Sequence, residues 1–335
     1  MLIELGAPAS LPLSLVKIDR EHGAKTALLS LTVQHPPIEL LAEQDNKQLK
    51  IVGARAHIGR QHAKRFLRSY GLRQRAEVEI ERSIPAFMGL GSDSLLGLAM
   101  AKGLAWVHDL PFDDTQALAN ALGLPAKHAA ELWGFDQGGL LLVDTDAPEG
   151  QMPQIIERKE IEHHKNEAWA FVFLLPRVPK GTPDDYETEQ MQQLLSVAPY
   201  LSSESGRIVM EETLPAVEKD DIAAFGKSLL KLHKLIYTAQ SEAGTLKGLT
   251  PADYAILHLM RDSGAVAWGR SLTGGCLYGL VKGAKASIEL RKVIRKAIGP
   301  FGGTVLATIT DNRGSAHVIK KESLKDKRLS PYRLK

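Results

Sequence analysis

The chain has 335 residues, 44% of them hydrophobic and 24% charged, with a formal net charge of +3. That length can hold two domains, the composition is that of a soluble globular protein, and so small a charge does not call for nucleic acid. The single cysteine, Cys276, excludes an intrachain disulfide framework or a cysteine-rich metal cluster and fits a reducing cytoplasm, and no apolar run approaches the roughly 20 residues of a membrane helix. The first residues, MLIELGAPASLPLSLV, have no basic leader and read as a strand rather than a signal peptide.

Residues 2–4, 11–18 and 26–33 read as strands, with Pro8 and Pro12 marking an edge or a bulge and Pro36 and Pro37 closing the third. Lys17, Asp19, Arg20, Glu21, His22 and Gly23 make a polar turn between them. A short strand over 48–52 precedes a helix over 58–70 that is crowded with Arg60, His62, Lys64, Arg65 and Arg68. Such a run is either a solvated face or a contact surface for phosphate-bearing ligands or RNA, and no aromatic ladder interleaves it for single strands.

An alternating strand over 76–84 delivers the chain into Gly89, Leu90, Gly91, Ser92, Asp93 and Ser94, and then into an apolar segment, 95–106, whose only charge is Lys102. Ser92, Asp93 and Ser94 are good helix caps, and the segment is apolar on most faces, which predicts a buried helix. A glycine loop feeding a helix N-terminus gathers backbone N–H groups and the positive end of the helix dipole at one spot, which suits a phosphate. The alternative is an ordinary capped core helix. The loop is neither a P-loop nor a dinucleotide fingerprint.

A helix starts at Asp113 or Asp114 and stops at Gly123, residues 126–133 form a short helical or loop segment, and Gly138-Gly139 opens an apolar strand over 140–143. The turn at 146–150 is the expected domain boundary, which gives units of 1–150 and 151–335. The second unit opens with a polar stretch and a buried strand over 169–175. Helices follow over 186–197, 203–217, 221–238 and 251–262. A strand pair over 265–268 and 275–281, a helix over 284–298, a strand over 304–310 and a charged tail from Lys320 complete the chain.

Three stretches together resemble the GHMP kinase superfamily: residues 7–31, the loop PAFMGLGSDS at 85–94, which matches Pro-x-x-x-Gly-Leu-Gly-Ser-Ser, and SLTGGCLYGLV at 271–281, a shortened C-terminal glycine motif. Within it, GFDQGGLLLVD at 134–144, LLPRVPKGTPDDYETEQM at 174–191, LPAVEKDDIAAFGKSLLKLH at 214–233, GAVAWGRSLTGGCLYGLV at 264–281 and TDNRGSAHV at 310–318 resemble the beta-ribofuranosylaminobenzene 5'-phosphate synthases. The resemblance implies an α+β, GHMP-kinase-like two-domain fold with a ribosomal-protein-S5-like N-terminal domain and a ferredoxin-like C-terminal domain. It implies a cytoplasmic, homodimeric transferase of tetrahydromethanopterin biosynthesis and one-carbon metabolism, with no membrane or nucleic-acid partner. Its substrates would be 5-phosphoribosyl 1-diphosphate and 4-aminobenzoate.

The site residues follow from that resemblance. Gly89, Leu90, Gly91, Ser92, Asp93 and Ser94 would hold the diphosphate, and Asp93 would carry Mg2+ unless it serves only as a cap. Arg270, or similarly Arg313, would grip a carboxylate or phosphate unless it only makes a surface salt bridge, Trp268 would stack on the aromatic substrate unless it is simply core, and Lys17, Asp19 and His22 would face the acceptor. Glu131 stands where the superfamily's kinases carry an Asp, as base or hydroxyl-orienting group. The catalytic set is thus Asp93, Glu131 and Arg270. An ATP-dependent kinase of the same fold is the second reading, and a phosphate- or RNA-binding protein using the basic helix the third.

Overall fold

The computed structural model describes residues 2–329, apart from 21–22, 46, 111–113, 125, 148–150, 165–166, 179–185 and 301. It is built on one long antiparallel hairpin, β1 (Leu2–Arg20) and β2 (Gly23–Glu43). The separate short strands expected here merge, because β2 runs on through Pro36 and Pro37 and its last residues pair with 2–7 of β1. Register shifts between Ala7 and Ala9 and between Pro12 and Ser14 absorb the prolines, which have no N–H to give the ladder.

The chain continues through β3 (Leu49–Gly53), α1 (Ala56–Ser69), β4 (Ala76–Arg82), α2 (Ser92–Val107), α3 (Thr115–Leu122), α4 (Ala129–Gln137), β5 (Leu140–Asp144) and β6 (Ile155–Lys159). Asp114 caps α3 by accepting from Gln116 N–H, and Gly123 ends it in the left-handed conformation, as the sequence predicts. Helix α2 is the buried helix of the sequence reading, with Leu96, Leu98 and Leu104 at 0% exposure. Glycine inside a helix costs about 1 kcal/mol relative to alanine. Here Gly97 has the His62 ring at its back, and a Cβ there would lie 3.0 Å from Nδ1.

Then come β7 (Trp169–Pro176), α5 (Tyr186–Leu195), α6 (Ser203–Ile208), α7 (Leu214–Glu218), α8 (Ile222–Glu242), α9 (Pro251–Asp262), β8 (Ala267–Arg270), β9 (Leu277–Lys282), α10 (Ala284–Ile298), β10 (Gly303–Ile309), β11 (Ala316–Lys320) and α11 (Leu324–Leu329). The strands form a seven-stranded sheet, β11-β1-β2-β4-β3 with β5 on β2 and β6 on β5, and a four-stranded antiparallel sheet, β10-β7-β9-β8. The second is a β–α–β–β–α–β unit of ferredoxin-like order, so the class is α+β.

The sequence boundary near 150 does not coincide with the sheets. Both β6 and β11 pair in the first sheet, so the chain leaves it after β6 and returns to it after β10. The tail docks as well, with Leu324 packed on Leu2 and Leu41. Phe171, Phe173 and Tyr278 on one face of the second sheet join Phe225 in the core shared with the hairpin, while Ala170, Val172 and Leu174 on the other face meet α9 and α10.

Candidate active site at the glycine loop

Gly89 and Gly91 have positive φ of 68° and 73°, and Gly91 is the N-cap of α2. The cap differs from the sequence expectation, since none of Ser92, Asp93 and Ser94 caps α2 with its side chain. A left-handed Gly91 brings Ser92 directly into the first turn, and the free N–H groups turn to another partner.

Successive loop carbonyls are all engaged from outside. Gly275 N–H donates to Phe87 O (2.9 Å), Cys276 N–H to Met88 O (3.2 Å), Ser271 Oγ to Gly89 O (2.7 Å) and Ser10 N–H to Leu90 O (3.2 Å). With its carbonyls held outward by β1 and the 271–276 segment, the loop turns N–H groups inward. Those of Gly89 and Ser92 donate to Glu187 Oε1 and Oε2 at 3.0 Å each, and Ser92 Oγ donates to Oε2 at 2.9 Å. The loop is thus an anion cradle occupied by a carboxylate from α5. Glu187 was not a sequence candidate, because its partners lie 95 and 98 positions away. Burial pushes its carboxyl above the ordinary range, against the pull of the Ser92 and Gly89 hydrogen bonds.

Asp93 and Glu131 flank the cradle. Asp93 Oδ1 lies 3.3 Å from His62 Nε2 and 3.8 Å from Arg55, whose guanidinium also donates to Ser92 O at 2.9 Å. Burial opposes ionisation, but His62 and Arg55 prevail and hold the carboxyl below its usual range. Glu131, in the first turn of α4, lies under Gly91, where a Cβ would stand 2.8 Å from its Cγ. Burial, with Glu187 nearby, pushes Glu131 up to about 7. Its Oε2 has no hydrogen-bond partner, nor does His128 Nδ1 at 4.0 Å, and burial holds His128 down at about 4.

The basic helix divides. Arg60 donates to Ile51 O and Arg65 to Leu122 O, which ties them into the fold, while Lys64 and Arg68 are exposed. His62 is buried against α2, and Arg55 precedes the helix. Neither stood out as a site residue in the sequence, although His62 falls on the apolar face four residues from Phe66.

Arg270 lines a small cleft beside the loop with Gln190, Lys247, Ser271 and Gly274, and its guanidinium donates to the carbonyls of Lys247 (2.7 Å) and Gly248 (3.4 Å). Two positions back on β8, Trp268 lines an adjoining cavity of about 520 Å³ with Tyr237, Tyr254, His258 and Lys234. The other candidates lie elsewhere. Arg313 is exposed in a turn covering Gly138, at the far end of α4 from Glu131. Lys17 and Asp19 sit at the hairpin end under α6, where Lys17 N–H donates to Ser205 Oγ and Asp19 accepts from Ser203 Oγ, both at 3.0 Å. His22 lies outside the described residues.

No family model matches the chain. Solved structures similar to it include homoserine kinase from Cytophaga hutchinsonii, with TM-score 0.64 and 16% identity over 95% of this chain and 97% of that one. Mevalonate diphosphate decarboxylase from Staphylococcus aureus gives 0.63 and 13% over 95% and 99%. The fold is that of the GHMP kinases. A further structure with this fold, described as MDDEF in complex with MVAPP, AMPPCP and magnesium, gives 0.66 and 13% over 96% and 99%.

Two curated proteins are similar in sequence, both named beta-ribofuranosylphenol 5'-phosphate synthase. That of Methanothermobacter thermautotrophicus is 22% identical, covering 96% of this chain and all of that protein. That of Archaeoglobus fulgidus is 22% identical, covering 70% and 76%. The resemblance read from the sequence stands, with a phenol in the relatives' name where an aminobenzene was expected. Among the described residues no helix is long and apolar enough to cross a membrane.

Proposed function

We propose that this GHMP-fold protein is a transferase that joins 5-phosphoribosyl 1-diphosphate to a 4-substituted benzoate, a reading supported by two curated relatives named as beta-ribofuranosylphenol 5'-phosphate synthases. The bond from ribose C1 to the diphosphate oxygen breaks and the diphosphate keeps the electron pair. The ring carbon bearing the carboxylate bonds to C1, the bond to the carboxylate breaks, its electrons restore the ring and carbon dioxide leaves. The observation that carries the reading is the cradle itself: donors at Gly89 and Ser92, fixed by engaged carbonyls and already holding a carboxylate. Preorganised donors aimed at a departing diphosphate are a large catalytic contribution.

Arg55 and the α2 dipole add positive potential at the same place. Glu131, at about 7, is poised to exchange a proton near neutral pH, as general base or as the group that orients a substrate. Arg270 would bind a carboxylate or the 5'-phosphate, and Trp268, Tyr237 and Tyr254 would form an aromatic wall for the acceptor; that they line a cleft and a cavity beside the loop supports this.

Magnesium fits in one mode. His62 and Arg55 keep Asp93 ionised, its side chain is one-third exposed at 34%, and among the described residues no three His, Cys, Asp or Glu side chains form a ready-made metal cage. Asp93 would supply one carboxylate and the substrate's phosphates the other oxygens, and the ion would neutralise charge on the leaving diphosphate.

The acceptor is 4-aminobenzoate in the sequence reading, and the phenol in the relatives' names makes 4-hydroxybenzoate the second candidate. A place in tetrahydromethanopterin biosynthesis and a homodimer belong to the same proposal. The test mixes purified protein, magnesium, 5-phosphoribosyl 1-diphosphate and carboxyl-labelled 4-aminobenzoate or 4-hydroxybenzoate. Release of labelled carbon dioxide that requires both substrates supports the reading, and the faster acceptor names the product. No release with either, in protein that transfers phosphate from ATP to a small alcohol, replaces it with the kinase reading.

A further inference from the structure

Glu187 makes three hydrogen bonds with the phosphate loop and reaches it from a different element and a different sheet's connection. A carboxylate with both oxygens bound to backbone N–H groups at a helix N-terminus occupies the position a phosphoryl group takes there. Helix α5 is anchored by buried Met191 and Leu194, so the carboxylate competes for the cradle as a tethered ligand at high effective concentration.

We infer that Glu187 sets the affinity threshold of the cradle: its carboxylate is the resident occupant, and only an anion that out-competes it gains entry. The inference rests on the reading of this loop as the diphosphate site. Glu131 sharpens the competition. It lies under Gly91 with an unpartnered carboxyl oxygen, so an incoming anion meets two carboxyl groups and cannot share the cradle with Glu187. An external monoanion of carboxylate geometry makes the same contacts without the tether and loses. Inorganic phosphate makes few contacts that Glu187 does not already make, and displaces it weakly. Diphosphate brings more charge and more acceptor oxygens than Glu187 and displaces it. The apparent affinity of every phosphate ligand is lowered by the fraction of time the resident carboxylate is seated.

Calorimetric titration of the full chain tests this, with diphosphate and separately with inorganic phosphate. The proteins are the wild type, Glu187→Gln and Glu187→Ala, with Glu189→Gln, exposed on the same helix, as control. Thermal melts report whether each variant is folded. Both Glu187 variants are expected to bind diphosphate about tenfold more tightly than wild type. Inorganic phosphate is expected to tighten by the same factor, so the cradle opens to an anion that it otherwise holds too weakly, and Glu189→Gln matches wild type. Folded Glu187 variants that bind diphosphate equally or more weakly overturn the inference while leaving the loop reading intact. Absence of diphosphate binding in every protein overturns the loop reading, and the inference with it.

Discussion

Gly89 and Gly274 meet back to back where the two glycine motifs join. A Cβ on Gly89 would lie 2.4 Å from Gly274 N, and a Cβ on Gly274 would lie 2.1 Å from Gly89 N. Neither contact is with a movable side-chain end, so the two loops must separate to admit even a methyl group. Gly274→Ala is therefore expected to cost about 3 kcal/mol in urea denaturation, at the upper end of ordinary substitutions, and to abolish diphosphate binding. Gly71→Ala, at a positive φ of 62° with open space around it, is the control and should cost only about 1 kcal/mol.

Glu131 sets a pH dependence. The folded protein holds this proton up to about pH 7, whereas the unfolded chain releases it near 4.5. The stabilisation is thus complete below 4.5 and is lost as pH rises through about 7. Glu131→Gln removes that loss and should raise stability at pH 8, relative to wild type, by up to about 3 kcal/mol. Urea denaturation from pH 4.5 to 8 checks it. The same variant should slow the synthase reaction, because the amide cannot exchange the proton.

Acid acts through the histidines. His128 and His233 are both held down at about 4 by burial, so the unfolded chain gains their protons first and stability falls as pH drops from 6.5 towards 4. His233 Nε2 is 2.7 Å from Tyr278 Oη inside the core. Tyr278→Phe leaves that nitrogen without its partner and should cost about 1–3 kcal/mol in urea denaturation.

Arg270 and Arg313 looked alike in the sequence and separate in the structure. Arg270 faces the cleft beside Gly274, and Arg313 is exposed at the far end of α4. Arg270→Ala should raise the KM of one substrate at least about tenfold, the loss of one charge-assisted contact. Arg270→Lys should not restore it, since an ammonium cannot reproduce the planar fork. Arg313→Ala should leave steady-state rates unchanged.

The parts legible in the sequence were those with local causes. The apolar run of α2, the Asp114 cap and Gly123 stop of α3 and the alternation of β4 depend on neighbouring residues, and all appear where expected. The two glycine motifs were legible too, but not that each loop's backbone holds the other. What the sequence hid was set by distant pairing. Strand β6 reads as polar because all five of its residues are only half-buried, β11 reads as tail because it is an edge strand, and β1 and β2 looked interrupted because bulges absorb their prolines. Arg55, His62 and His128 reach the site through tertiary packing, and Glu187 sits among other acidic residues with nothing local to single it out.

The measurement closest to the central claim is a titration of isotope-labelled protein with diphosphate, following backbone amide resonances. If the loop is the diphosphate site, the Gly89 and Ser92 amides, which now donate to Glu187, shift most and saturate with the calorimetric affinity, and the Glu187 side-chain signals move with them. If diphosphate binds while those amides stay in place and signals elsewhere respond, the glycine loop is not the cradle of this reaction.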